Sequence, residues 1–304
     1  MMEAIHYFSI DDYEVLIPYG DEFSNEMMFR FFKEKGIAYN ARPISHIIFD
    51  VLPLVFSKKK YKRIFVGNYS ATKSYPLAVA LAGFNSTINY LDDGTQAVEL
   101  FSDEPRPRYS KGSIKIVIFL YRVLAFLKNA RENIFFTMYD VESKKYRIEK
   151  NSFSILRTKN NRAQRGAYII GTNSAILHFA NAAYLDYLKA LVGRIKELYP
   201  DEIIYYCPHR RDTNNAVNEK LIKEMGAIIF NTFVSVEYDF FNQNISPKYV
   251  VGFMSNALFT LNKMYPESCI ETVTYSLDDQ NQNNDVKLIE DTFNRMGIKS
   301  IRLF

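Results

Sequence analysis

Three short stretches carry residue types that could do chemistry together. Asp92–Asp93–Gly94 closes the apolar run Ile88–Leu91, which sets two carboxylates and a turn glycine at the carboxyl end of an expected strand. Pro208–His209–Arg210–Arg211 closes the run Ile203–Cys207 in the same way. A third run, Tyr249–Phe253, leads through Met254, Ser255 and Asn256 into the helix-like stretch Asn256–Met264. In open parallel sheets, ligands bind outside the carboxyl ends of the strands. A carboxylate there can take a proton from a hydroxyl. An imidazole beside guanidiniums suits a phosphate. Small polar residues at a helix start offer N–H groups and the positive end of the helix dipole to an anion. A base at one strand end and anion-binding groups at others suit group transfer from a phosphate-bearing donor to a hydroxyl.

Each of these residues also has a plainer use. Asp92 to Gly94 makes a serviceable helix cap and turn, and Ser255 an ordinary N-cap. Arg210 and Arg211 could be solvated surface charges. The other histidines, His6, His46 and His178, lie in apolar patterns that suit packing. Two weaker signals repeat the strand-end logic. Gly171–Thr172–Asn173 follows the run Ala167–Ile170, and Glu237 is expected just past another strand. A carboxylate at that place could accept from a ribose diol.

The elements that would carry these residues alternate along the chain. In the first half, strands are expected at Tyr13–Pro18, Arg63–Gly67, Ile88–Leu91 and Asn133–Met138. Helices are expected at Met1–Phe8, Asn25–Lys35, Ser74–Gly83, Thr95 towards Phe101, and Ser113–Asn129. Lys144–Gln164 is polar and basic and reads as a linker with little that could join a core. The pattern then restarts, with strands at Ala167–Ile170, Ile203–Cys207, Ala227–Phe230, Tyr249–Phe253 and Ile270–Val273. Helices lie between them at Ala182–Tyr199, Asn218–Met225, Asn256–Met264 and Val286–Met296. Two successive βα series predict an α/β protein of two doubly wound, Rossmann-like domains, at 1–155 and 156–304.

Composition narrows the partners. The chain has 304 residues, 48% of them hydrophobic, and a formal charge of +4. That excess favours an anionic ligand or membrane surface and is too small to argue for nucleic acid. The 2 cysteines, Cys207 and Cys269, have no metal-type or disulfide spacing and read as buried thiols in a reducing compartment. The N-terminal residues do not read as a signal peptide, and no run reaches the roughly 18 apolar residues of a membrane span. A cytoplasmic location is therefore expected. Ser113–Leu127 reads as a buried domain helix, with an interfacial membrane helix as the alternative.

Taken in order, these pieces resemble the bacterial sialyltransferases, especially glycosyltransferase family 52 and the related polysialyltransferases. The matching stretches are VGNYS at 66–70, YLDDG at 90–94, YIIGTN at 168–173, YYCPHRRD at 205–212, VSVEY at 234–238 and GFMSNALFTL at 252–261. The chain differs in carrying Pro208–His209 where that family has His-Pro, and Ser255–Asn256 where it has paired hydroxyls. The resemblance implies a glycosyltransferase of the B type, with an acceptor-side first domain and a CMP-sugar-binding second domain. It implies inverting, metal-independent transfer of sialic acid, or a related nonulosonic acid, from a CMP donor, with no further cofactor. Asp92 or Asp93 would deprotonate the acceptor, with Asn68 and Tyr69 on the acceptor side. His209 would contact the CMP phosphate. Gly171, Thr172, Asn173, Pro208, Arg210, Ser255 and Asn256 would bind the donor, and Glu237 would hold its ribose. The implied acceptor is a galactoside on a glycolipid such as lipooligosaccharide or O-antigen, reached by peripheral contact at the inner face of the inner membrane. A transferase for another nucleotide sugar and a non-catalytic nucleotide-sugar-binding protein are the alternatives.

Overall fold

A computed structural model describes residues 1–19, 29–43, 47–67, 74–92, 112–157, 165–173, 181–209, 212, 214–275 and 280–304. The chain divides into two compact units, Met1–Ser154 and Ile155–Phe304.

The first unit contains α1 (Met2–Tyr7), β1 (Val15–Tyr19), β2 (Tyr39–Pro43), α2 (Ile47–Val55), β3 (Tyr61–Val66), α3 (Ser74–Leu81), β4 (Ala82–Leu91), α4 (Gly112–Leu127), β5 (Arg131–Thr137) and β6 (Arg147–Lys150). β1 and β2 pair with each other, and β3-β4-β5-β6 form a separate sheet. All these pairings are parallel. α1 packs its apolar residues on the larger sheet. Ala4 joins Leu91, Ile134 and Phe136 in a buried cluster, with Phe8 and Phe65 against it. The Tyr7 ring lies 5.1 Å from that of Phe136.

Several boundaries differ from the sequence reading. β6 lies inside the stretch expected to be a linker, and Tyr146 and Phe153 around it are buried. Arg147, Ile148, Glu149 and Lys150 make an edge strand in which Arg147 and Lys150 are exposed and half-buried Glu149 accepts from the Tyr7 hydroxyl at 2.6 Å; a polarity argument takes such a strand for a loop. β4 begins at Ala82, directly at the end of α3, and not at Ile88. Its first residues bulge, because the β3 register jumps from Tyr61 opposite Ala82 to Arg63 opposite Thr87.

Two lysines hold that junction. Lys128 Nζ donates to the carbonyls of Val79 (2.9 Å), Ala80 (3.3 Å) and Ala82 (2.9 Å). Lys60 Nζ donates to those of Leu54, Val55 and Ala80. The last turns of α2 and α3 thus receive cations where helix carbonyls lack partners. Burial, and then the charge of Lys60, pull the Lys128 pKa down to about 8, so it still carries its proton at neutral pH. Lys128→Met would take its donor from the Val79 and Ala82 carbonyls, while Ala80 keeps Lys60. It is expected to destabilise the unit by about 2–3 kcal/mol, since a single unsatisfied buried group costs about 1–3 kcal/mol. Thermal melts of the variant at neutral pH check this.

The second unit contains β7 (Ala167–Ile170), α5 (Asn181–Leu198), β8 (Ile204–Cys207), α6 (Asn215–Glu224), β9 (Ile228–Ile229), α7 (Val236–Asn242), β10 (Tyr249–Gly252), α8 (Asn256–Met264), β11 (Cys269–Val273), α9 (Gln280–Arg295) and β12 (Lys299–Ile301). Its sheet runs β9-β8-β7-β10-β11-β12, parallel throughout. Counted within the unit, that is the order 3-2-1-4-5-6 of dinucleotide-binding folds. β7 and β10 are buried along their whole length, as central strands covered on both faces must be. Ile169, Tyr206 and Val251 from the strands pack with Leu188, Leu191, Val192 and Ile195 from α5. Cys207 is buried as expected, but Cys269, at the start of β11, is exposed.

Candidate functional site

The order of the second sheet reverses between β7 and β10. Strand connections leave in opposite directions there and open a crevice at the carboxyl edge. The backbone at this edge is bare of side chains for a steric reason. A Cβ on Gly171 would lie 2.8 Å from the Cys207 carbonyl oxygen, 2.8 Å from Tyr206 Oη and 3.1 Å from the His209 nitrogen. A Cβ on Gly252 would lie 3.0 Å from both Ile170 Cβ and the Ile170 oxygen. The sheet therefore brings Gly171 against His209, and Gly252 against the last residue of β7. Gly171→Ala must push the β7 and β8 ends apart. It is expected to cost about 1–3 kcal/mol, as overpacking does, and to lower the melting temperature. Differential scanning calorimetry of the variant beside wild type measures it.

Around this edge the backbone is held from several sides. Thr172 N–H donates to Tyr184 Oη at 3.2 Å, and Tyr184 Oη lies 3.5 Å from Tyr206 Oη. Burial pushes the Tyr184 pKa up to about 12 and raises that of Tyr206 still further, so both phenols stay protonated. The His209 carbonyl accepts from Asp212 N–H (3.0 Å) and from Asn215 Nδ2 (2.8 Å). Asp212 is buried and accepts from Asn214 N–H and Asn218 Nδ2. The turn that carries Pro208 and His209, both half-buried, is thereby fixed to the start of α6.

On the other side of the crevice, Met254 adopts φ 42, a left-handed conformation that side chains disfavour. Its N–H donates to Thr272 Oγ1 at 3.0 Å. The turn delivers Ser255 to the N-cap of α8, where its hydroxyl accepts from Ala257 N–H at 3.3 Å. Asn256, the first residue of α8, is exposed. Glu237 differs from expectation. It sits in the first turn of α7, capped by Ser235, and does not directly follow a strand. α7 packs on α8, so Glu237 belongs to the same side of the sheet edge.

In the first unit, Asp92 caps the end of β4. Its N–H donates to the Phe136 carbonyl at 3.2 Å, and its Oδ2 accepts from Met138 N–H at 2.6 Å. Oδ1 is buried with no hydrogen-bond partner among the described residues. Burial pushes the pKa up to about 6, against the opposing pull of the Thr137 hydroxyl and the Met138 N–H. A carboxyl with that pKa is ionised at neutral pH and still accepts a proton readily.

The expected Asp93, Asn68, Tyr69 and Arg210, with Arg211, lie outside the described residues. Tyr184, Tyr206, Asp212 and Met138 support the two edges and were not singled out in the sequence. Only Asp212 had a legible signal, as the acidic residue closing the His-Arg-Arg turn. Among the described residues, no group of three or more His, Cys, Asp or Glu is arranged to hold a metal ion.

These two Rossmann-like α/β units are those of the glycosyltransferase B type. The chain is similar to the crystal structure of an α/β-galactoside α-2,3-sialyltransferase from the luminous marine bacterium Photobacterium phosphoreum. That match has a TM-score of 0.54 at 15% identity and covers 94% of this chain and 98% of that one. A Photobacterium 2,6-sialyltransferase, solved with the donor product CMP and the acceptor lactose, matches with a TM-score of 0.51 at 13% identity, over 95% of this chain and 78% of that one. At these identities the likeness is one of fold. No family model and no curated protein matches the sequence.

Proposed function

We propose that this chain is an inverting sialyltransferase. It would move sialic acid, or a related nonulosonic acid, from a CMP donor to a hydroxyl of a cell-surface glycan such as lipooligosaccharide or O-antigen. The observation that carries the reading is Asp92, a strand-end carboxyl with a raised pKa and a buried oxygen that has no partner among the described residues, in a chain whose fold matches that of an α-2,3-sialyltransferase over 94% of its length.

In this reading the acceptor oxygen attacks the anomeric carbon of the donor sugar as the bond to the CMP phosphate breaks. The acceptor proton passes to Asp92. Negative charge builds on the departing phosphate, and preorganised donors at His209, Ser255 and the start of α8 receive it. Gly171, Thr172 and Asn173 supply a close backbone approach for the nucleotide, with Pro208 and Arg210 beside it. Glu237 would accept from the ribose, and Asn68 and Tyr69 are the residues assigned to acceptor binding. The charge changes are met by side chains and backbone, so the proposed transfer calls for no metal and no cofactor beyond the donor.

Nucleotide selectivity tests the donor assignment. Calorimetric titration is expected to show binding of CMP and no binding of UDP or GDP. Binding of UDP in preference to CMP would move the chain to another nucleotide sugar.

A further inference from the structure

Exposed apolar surface in the first unit gathers on one helix. α4 buries Ile118, Tyr121 and Ala125 and leaves Ile116, Phe119, Leu120, Val123, Phe126 and Leu127 exposed, Phe126 by 82% and Leu127 by 67%. At about 100° per residue the two sets are centred on opposite sides of the helix. A surface helix ordinarily turns polar residues outward, and an apolar stripe of this kind marks a binding surface. The buried half of the sequence expectation for this helix therefore holds for only one of its faces.

The stripe continues past the end of the helix. Asn85 N–H donates to the Lys128 carbonyl at 2.9 Å, and Asn129 Nδ2 donates to Asn85 Oδ1 at 2.6 Å. These bonds set Phe84, 78% exposed, beside the carboxyl end of α4.

The sequence on either side of this helix is rich in basic residues. Between Leu52 and Arg131 the sequence carries thirteen Lys and Arg against five Asp and Glu, and those five all fall within Asp92–Glu104. Lys58, Lys62, Arg63, Arg122 and Arg131 are exposed. Arg122 lies on α4 and Arg131 just past its end, and basic side chains beside an apolar stripe complement an anionic bilayer, whose phosphates lie above its acyl chains. A second copy of the same face would instead oppose like charges. No helix among the described residues is long and apolar enough to cross a membrane, so α4 suits a helix that lies on the bilayer.

We propose that α4 and Phe84 form an interfacial docking surface for anionic phospholipid. Its binding is read without any transferase activity, so failure of the sialyltransferase reading leaves it standing.

Sedimentation of the full chain with vesicles of phosphatidylcholine, with and without phosphatidylglycerol, tests it. The chain is expected to partition onto the anionic vesicles, and less as salt rises. The double variant Phe119→Ser, Phe126→Ser is expected to lower that partition by about tenfold or more. Its melting temperature should stay unchanged, because both side chains are already exposed. No partition by the wild type, or equal partition by the double variant, would overturn the proposal. So would a solution dimer that the double variant dissociates while neither protein binds vesicles.

Discussion

Asp92→Asn is expected to lower turnover by roughly 100- to 10,000-fold, the range for loss of a general base, while CMP affinity changes little. The acceptor proton passes to Asp92 in the proposed transfer, and an amide cannot take it. Asp93→Asn is the control for the neighbouring carboxylate. Near-normal turnover in both single variants would remove the base from the account. The same substitution has a second, opposite consequence. The native pKa of Asp92, about 6, lies above the ordinary carboxylate value of 3.8. The folded protein therefore holds this proton more tightly than the unfolded chain. That stability is fully present below the unfolded pKa and is lost as pH rises through about 6. Above it, the buried charge costs up to about 3 kcal/mol, since each tenfold difference in proton affinity is worth about 1.4 kcal/mol. Asp92→Asn should thus melt at a higher temperature than wild type at pH 7.5, with the gain gone by about pH 4. An inactive variant that is more stable at neutral pH separates a base from a structural cap, whose loss would destabilise. The wild-type kcat/KM should also fall as pH drops through about 6.

His209→Ala is expected to weaken CMP binding and to cost about 3–4 kcal/mol at the transition state, the worth of one oxyanion-type donor. The His209 backbone is fixed by its own carbonyl, which Asp212 N–H and Asn215 Nδ2 both reach. Those bonds do not involve the imidazole, so the turn should survive the substitution. Kinetics and melting must be measured on one preparation. A folded, stable variant with unchanged kinetics would exclude the phosphate role. Activity that falls only with the folded fraction would make His209 a structural residue.

Much of the second unit was legible because its central strands are buried on both faces. Ala167–Ile170, Tyr249–Gly252 and the helix Asn256–Met264 stand out as apolar runs between small polar turns, and the boundaries of that helix match to the residue. Strands β2 and β12 and helix α2 were missed. β2 and β12 carry Asn, Arg, Lys and Ser on exposed edges, where no run of apolar residues marks them. The start of β4 was hidden for another reason. Ala82 to Thr87 enters the sheet through a bulge held by buried Lys128 and Lys60, a tertiary contact that local propensity does not encode. The places of Gly171, His209, Ser255 and Asp92 just past strand ends were legible from the apolar runs before them. Their supports were not, because Tyr184 and Tyr206 meet only when α5 folds over β7 and β8. The sequence left α4 open between a buried and an interfacial helix, since an apolar stripe reads the same whether it meets protein or not.

The central claim is sialyl transfer, and the reaction followed by NMR tests it most directly. The protein is mixed with CMP-sialic acid and lactose, and the anomeric carbon of the transferred sugar is watched. The account predicts sialyl-lactose whose configuration is inverted from that of the donor, forming with stoichiometric CMP in wild type and not in Asp92→Asn. CMP-sialic acid that binds without turnover across a panel of galactosides, or a product that retains the donor configuration, would contradict it.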